Sequence, residues 1–150
     1  MKTLKLNLKG CGGIIMPFYH INRQCPACSA HYIIKAPLLR APLNIVISRR
    51  AKTLSLYSNS NLIKSYPVAI GKPSTPTPVG TFTIVNKQLN PGGPFGTRWM
   101  GLSKPHYGIH GTNNPASIGT AASNGCIRMY NRDVEDLFNR VRVGTVVRIS

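Results

Sequence analysis

The 150 residues carry 19 Lys and Arg against three acids, a formal net charge of +16, with 14 Gly and 12 Pro. The acids are Asp133, Glu135 and Asp136, so no carboxylate side chain precedes position 133. This argues against the paired carboxylates of glycoside hydrolysis, carboxylate-held Mg²⁺ for phosphoryl transfer, and a Ser-His-Asp triad.

The first 42 residues hold three of the four cysteines and end in the proline-punctuated linker Ala36–Pro42. Cys25-Pro26-Ala27-Cys28 forms a C-x-x-C knuckle. With Cys11 and either His20 or His31 it supplies four ligands of the types that bind structural zinc. A disulfide between two of the three cysteines, or three unpaired thiols, fits the spacing as well. The apolar stretches near Ile33 and Ile45 are broken by Lys35, Arg40 and several prolines, so no transmembrane segment is expected. The basic start (Lys2, Lys5, Lys9) is followed only by the short run Ile14–Phe18 with Pro17 inside it, which does not read as a signal peptide.

Residues 43–150 read as a second unit, mainly β. Asn44–Ser48 is β-branched, and Thr53–Tyr57 alternates with Leu54 and Leu56 on one face. Polar clusters at Arg49–Lys52 and Ser58–Asn61 predict turns. Leu62–Ile70 predicts a third strand in which Pro67 marks a bulge or an edge. Gly71–Gly80 is a stiff Pro-rich loop before strand Thr81–Val85, and Asn90–Gly96 is a loop or flap. Shorter strands are predicted at Thr97–Leu102, Tyr107–Ile109, Ile127–Tyr130 and Thr145–Ile149. One helix is expected, with Asn131 as N-cap, the acids in its first turns, and Val134, Leu137, Phe138 and Val141 on its apolar face. The expected fold is an antiparallel, β-sandwich-like domain with one short helix.

Chemistry concentrates between His110 and Asp133. Cys126 follows Ser123-Asn124-Gly125, and a glycine there permits a tight turn whose amides can face an oxyanion. A Cys–His pair is a minimal activated nucleophile, because imidazole can take the thiol proton. A thiol of lowered pKa would also label faster than a buried structural one. Arg128 shares parity with Cys126 on the predicted strand, where it could clamp a carboxylate through two hydrogen bonds.

The pattern His110-Gly111-Thr112, then Ser123-Asn124-Gly125-Cys126-Ile127-Arg128-Met129, then Asn131 and Asp133, resembles the active-site motif of the L,D-transpeptidase (YkuD-type) catalytic domain. The loop Thr77-Pro78-Val79-Gly80 extends the resemblance, which spans about Leu43 to Ser150. It implies Cys126 as acylated nucleophile, His110 as base and the Gly111 carbonyl as the group orienting the imidazole. Amides near Gly125 and Cys126 would hold the oxyanion, and Arg128 would meet the stem-peptide carboxylate, with Ser123, Asn124 and Gly125 lining the substrate. Some members carry His where Asn124 stands, which leaves His110 as the evident base. The implied reaction is peptidoglycan cross-linking through a thioester without metal or organic cofactor; water as acceptor would make the chain an L,D-carboxypeptidase. A non-catalytic basic wall-binding module is the reading from another class. The basic surplus suits anionic wall polymers; the cations are scattered, and neither a helix-turn-helix nor an aromatic RNA-binding signature supports nucleic acid as partner. An extracytoplasmic monomer in the cell wall or spore envelope is the expected setting.

Overall fold

The computed structural model describes residues 42–150, and the zinc and disulfide expectations for Cys11, Cys25, Cys28, His20 and His31 lie outside them. In chain order the strands are β1 (Leu43–Ser48), β2 (Thr53–Ser58), β3 (Asn61–Gly71), β4 (Gly80–Leu89), β5 (Arg98–Leu102), β6 (Gly108–His110), β7 (Ala121–Ser123), β8 (Ile127–Met129) and β9 (Val146–Ile149). The helix α1 (Asn131–Arg140) lies between β8 and β9.

Alternation drives the first hairpins: Ile45, Ile47, Leu54 and Leu56 are fully buried while their neighbours stay partly exposed. Each such side chain contributes roughly 1.5–3 kcal/mol on burial. The turn between β2 and β3 uses Asn59 at φ 54°, a left-handed conformation that asparagine tolerates better than most residues.

The strands form two sheets that share their outer members. One sheet runs β3-β2-β1-β9-β4, using residues 61–67 of β3 and 80–83 of β4. The other runs β4-β5-β6-β8-β3, using the later parts of the same two long strands. β7 adds to the end of β3. Both shared strands change partners at identifiable residues. In β4 the ladder shifts between Ile84 and Asn86, so Val85 is the extra residue at a corner. In β3 the change falls at Pro67: the Val68 N–H reaches back to Lys52 O, so the proline nitrogen faces the other side, where β8 pairing begins only at Val68. The bulge itself lies earlier, at Leu56/Tyr57, where Ile63 has no partner. Most pairings are antiparallel; β1–β9, β6–β8 and β3–β7 are parallel. The core between the sheets includes Ile45, Leu56, Val68, Met100, Ile109, Ile127 and Met129.

α1 buries Val134 and Leu137 fully, as the helical spacing predicts. Its last carbonyls are satisfied by Lys87, whose ammonium donates to Phe138 O (2.5 Å) and Val141 O (2.7 Å) and lies 3.9 Å from the Phe138 ring centroid. Asp136 accepts from Lys64 (2.9 Å), Tyr66 (2.7 Å) and Arg140 (2.8 Å). The Lys64 contact leads in holding its carboxyl down at about 2.

The N-cap expectation for Asn131 fails. Tyr130 occupies the cap position and makes no side-chain cap bond, while Asn131 is already helical. Its side-chain oxygen is taken by tertiary partners, Thr112 N (3.0 Å) and Thr97 N (3.4 Å).

Candidate active site

The sheet containing β5, β6 and β8 sets Trp99, His110 and Arg128 side by side: Trp99 pairs with His110, and His110 pairs with Arg128. Met100, Ile109, Ile127 and Met129 point into the core. By strand alternation the other three side chains share the outer face. His110 is nevertheless only 3% exposed. The Trp99 ring stacks on it at 5.6 Å between centroids, and Phe95 meets it edge-on at 5.1 Å. Gly108 makes room for this cover, since a Cβ there would lie 2.6 Å from the far edge of the indole.

His110 Nδ1 lies 2.5 Å from the Gly111 carbonyl oxygen. A carbonyl only accepts, so Nδ1 carries the proton and Nε2 keeps its lone pair. Burial is the main cause that lowers the imidazole pKa to about 4; the Gly111 bond opposes it and the Arg128 charge adds to it. At neutral pH the ring is uncharged and able to accept a proton.

Cys126 ends a turn built by Ser123. The Ser123 hydroxyl donates to Cys126 O (2.5 Å) and accepts from Gly125 N (3.1 Å). Gly125 sits at φ 106°, and a Cβ on it would fall 2.6 Å from the Tyr107 ring, so both conformation and space require glycine. The Cys126 Sγ lies 3.5 Å from His106 O. Burial raises the thiol pKa, and a hydrogen bond from the Gly108 backbone and the Arg128 charge pull against it. The net shift is upward, because burial outweighs the nearby cation, and the thiol rests against the backbone of His106.

The guanidinium of Arg128 has no acidic partner among the described residues, and its buried Nε has no hydrogen-bond partner. Asp133, the rival for it, is instead 3.7 Å from Arg132. Asn124 is exposed at the tip of the turn, whereas Ser123 is 1% exposed with its hydroxyl engaged within the turn. The Gly125 amide is likewise occupied, which removes it as an oxyanion donor in this conformation. Sequence reasoning missed Trp99, Phe95 and Gly108. The signal for them was Gly108-x-His110, a glycine on the histidine's own strand face that leaves space for a ring from the next strand. Beyond Arg128, where β6 and β8 end, an open recess of about 600 Å³ is lined by Thr112, Asn113, Pro115, Tyr130, Asn131 and Arg132.

Residues 43–149 match the family profile described as the L,D-transpeptidase catalytic domain, YkuD. Two relatives, from Bacillus licheniformis and Bacillus subtilis, are provisionally named L,D-transpeptidase YkuD; each is 59% identical over 109 residues, which is 73% of this chain and 66% of the relative. The chain thus spans just under two thirds of those proteins. The solved catalytic domain of the Enterococcus faecium L,D-transpeptidase superposes with a TM-score of 0.64 at 25% identity, over 73% of this chain and 98% of that one. The fold and the matched span agree, and the chain belongs to the YkuD family of L,D-transpeptidase catalytic domains.

Proposed function

We propose that this chain is a peptidoglycan L,D-transpeptidase in which Cys126 is the nucleophile, His110 the base and Arg128 the donor clamp. The observation that carries the reading is Arg128: a cation without an acidic partner, on the face shared by a neutral imidazole and next to the nucleophile turn. In a cell-wall setting, the free carboxylate of a stem peptide is the anion that meets it.

The step begins when the Cys126 thiol leaves the His106 carbonyl and presents its proton to His110 Nε2. Sulfur then bonds to the carbonyl carbon of the residue before the terminal D-Ala. The Cys126 amide remains to face the oxyanion, since Ser123 occupies that of Gly125. The intermediate collapses as His110 returns the proton to the leaving D-Ala amine, which gives a thioester. A second stem's amine attacks the thioester, His110 takes that amine's proton and hands it to the departing sulfur, and the Cys126 thiol is regenerated as the cross-link forms. The donor carboxylate also has an electrostatic effect. It neutralises the Arg128 charge that depresses His110, so the base strengthens when the donor is seated. The Gly111 carbonyl orients the ring in the place an Asp would take in a triad. No metal or organic cofactor enters these steps, and a peptidoglycan substrate puts the enzyme outside the cytoplasm, in the cell wall or spore envelope. Among the described residues no helix is long and apolar enough to cross a membrane.

Incubation of the full chain with disaccharide-tetrapeptide should yield an acyl adduct on Cys126 and free D-Ala in the mass spectrum. Cys126→Ala should abolish both while melting normally. An adduct on Cys11, Cys25 or Cys28 instead would overturn the assignment.

A further inference from the structure

We infer that Asn131 is a positioning residue that fixes the tautomer and orientation of the His110 imidazole through one peptide plane. This role rests on the reading of His110 as base, and nothing in the motif resemblance assigns it. Asn131 Oδ1 accepts from Thr112 N at 3.0 Å. That N–H belongs to the same peptide unit as the Gly111 carbonyl, whose oxygen lies 2.5 Å from His110 Nδ1. A trans peptide is planar and its N–H and C=O point in opposite directions. Holding one end of the unit therefore aims the other, and the asparagine on one side sets the imidazole on the other.

The packing around the oxygen is built for this contact. Gly111 and Gly96 both lie against Asn131 Oδ1, so closely that a Cβ on either glycine would collide with it. The oxygen also accepts from Thr97 N at 3.4 Å, and so ties the helix start to the segment that leads into Trp99, the other group holding the imidazole. The Gly111 N–H is itself pinned to Arg98 O at 3.1 Å. With its amide and its carbonyl both committed, Gly111 has little rotational freedom while Asn131 is present. Without the asparagine, the 111–112 peptide loses the partner on its N–H side and can rotate, which frees Nδ1 and lets the proton move to Nε2. An imidazole protonated at Nε2 cannot take the thiol proton there.

The test uses ¹⁵N-histidine-labelled full chain at neutral pH, with the His110 signals assigned by comparison with His110→Gln. In the unaltered chain the ring should show the Nδ1–H tautomer alone. Asn131→Ala should show a mixture, with kcat on tetrapeptide donor reduced by roughly ten- to a hundredfold and donor KM little changed, because Arg128 is untouched. Asn131→Asp keeps an acceptor of the same reach and should retain the single tautomer and most of kcat. If Asn131→Ala does not fold, Asn131→Ser, whose hydroxyl is too short to reach Thr112 N, takes its place with the same expected mixture. A pure Nδ1–H tautomer in the Ala or Ser variant overturns the inference, as does a mixture in the Asp variant. The tautomer is read without substrate, so it stands or falls separately from the transpeptidase reading.

Discussion

Arg128 is the residue whose role a single substitution separates most cleanly. No carboxylate among the described residues pairs with Arg128, and the rival for it, Asp133, is drawn to Arg132. A lysine at 128 keeps the charge but loses the planar fork. Arg128→Lys should raise donor KM roughly tenfold or more and leave the melting temperature almost unchanged. Asp133→Asn should leave donor KM alone. Donor-saturation and melting curves on both variants check this; a stability loss shared by the two would return Arg128 to a structural role. A cation beside a thiol suggests a thiolate, yet burial is the first cause acting on Cys126 and it acts upward. Burial depends on the loop at 103–107 and on Tyr107 over Gly125, and neither is visible in the spacing of Cys126 and Arg128.

Among the elements, the short strand β6 carries the tightest constraint. Gly108 leaves the gap that the Trp99 indole fills, and Trp99 in turn stacks on His110. Gly108→Ala should push the indole off the imidazole and destabilise the fold by about 1–3 kcal/mol. Trp99 is the sole tryptophan, so its fluorescence reports the displacement directly. An unchanged emission with unchanged activity would mean that the sheet gives way rather than the ring. The strands and the helix face that rest on a repeated pattern were legible in the sequence: Leu54 and Leu56 at period two, Val134 and Leu137 at helical spacing. The shared parity of Cys126 and Arg128 was legible in the sequence, whereas the pairing of β5, β6 and β8 that sets Trp99, His110 and Arg128 side by side was not. β7 escaped notice because Ala121-Ala122-Ser123 has no β-branched or aromatic residue, and it exists only because β3 offers an edge. Asn131 was misread for a comparable reason: its local position says cap, whereas its oxygen serves the loop after His110.

At the scale of the whole molecule, two groups link stability to acid. His110 has a folded pKa near 4 against an ordinary 6.5, so the unfolded chain binds more protons between those values. Its buried neutral state is tolerated above pH 6.5 and costs progressively more as pH falls towards 4, on the order of 3 kcal/mol in all. Asp136, held at about 2 by Lys64, Tyr66 and Arg140, contributes stability above its ordinary 3.8 that is lost as pH falls towards 2. Denaturant midpoints measured against pH should therefore decline in two stages. His110→Gln should flatten the upper stage and Asp136→Asn the lower. A single decline unaffected by His110→Gln would show that the imidazole is charged in the folded chain.

The sharing of β3 and β4 between the two sheets has a further consequence, felt when many copies meet. Two separate stacked sheets would present four outer strands, each with a row of unsatisfied amides and carbonyls able to recruit a neighbouring molecule. Here the outer strands of one sheet continue as the outer strands of the other, and only the three-residue β7 adds a flank beyond them. Residues 42–150, rich in β-branched segments, thus offer little template for intermolecular strand addition, and the chain's net charge of +16 adds mutual repulsion to that protection.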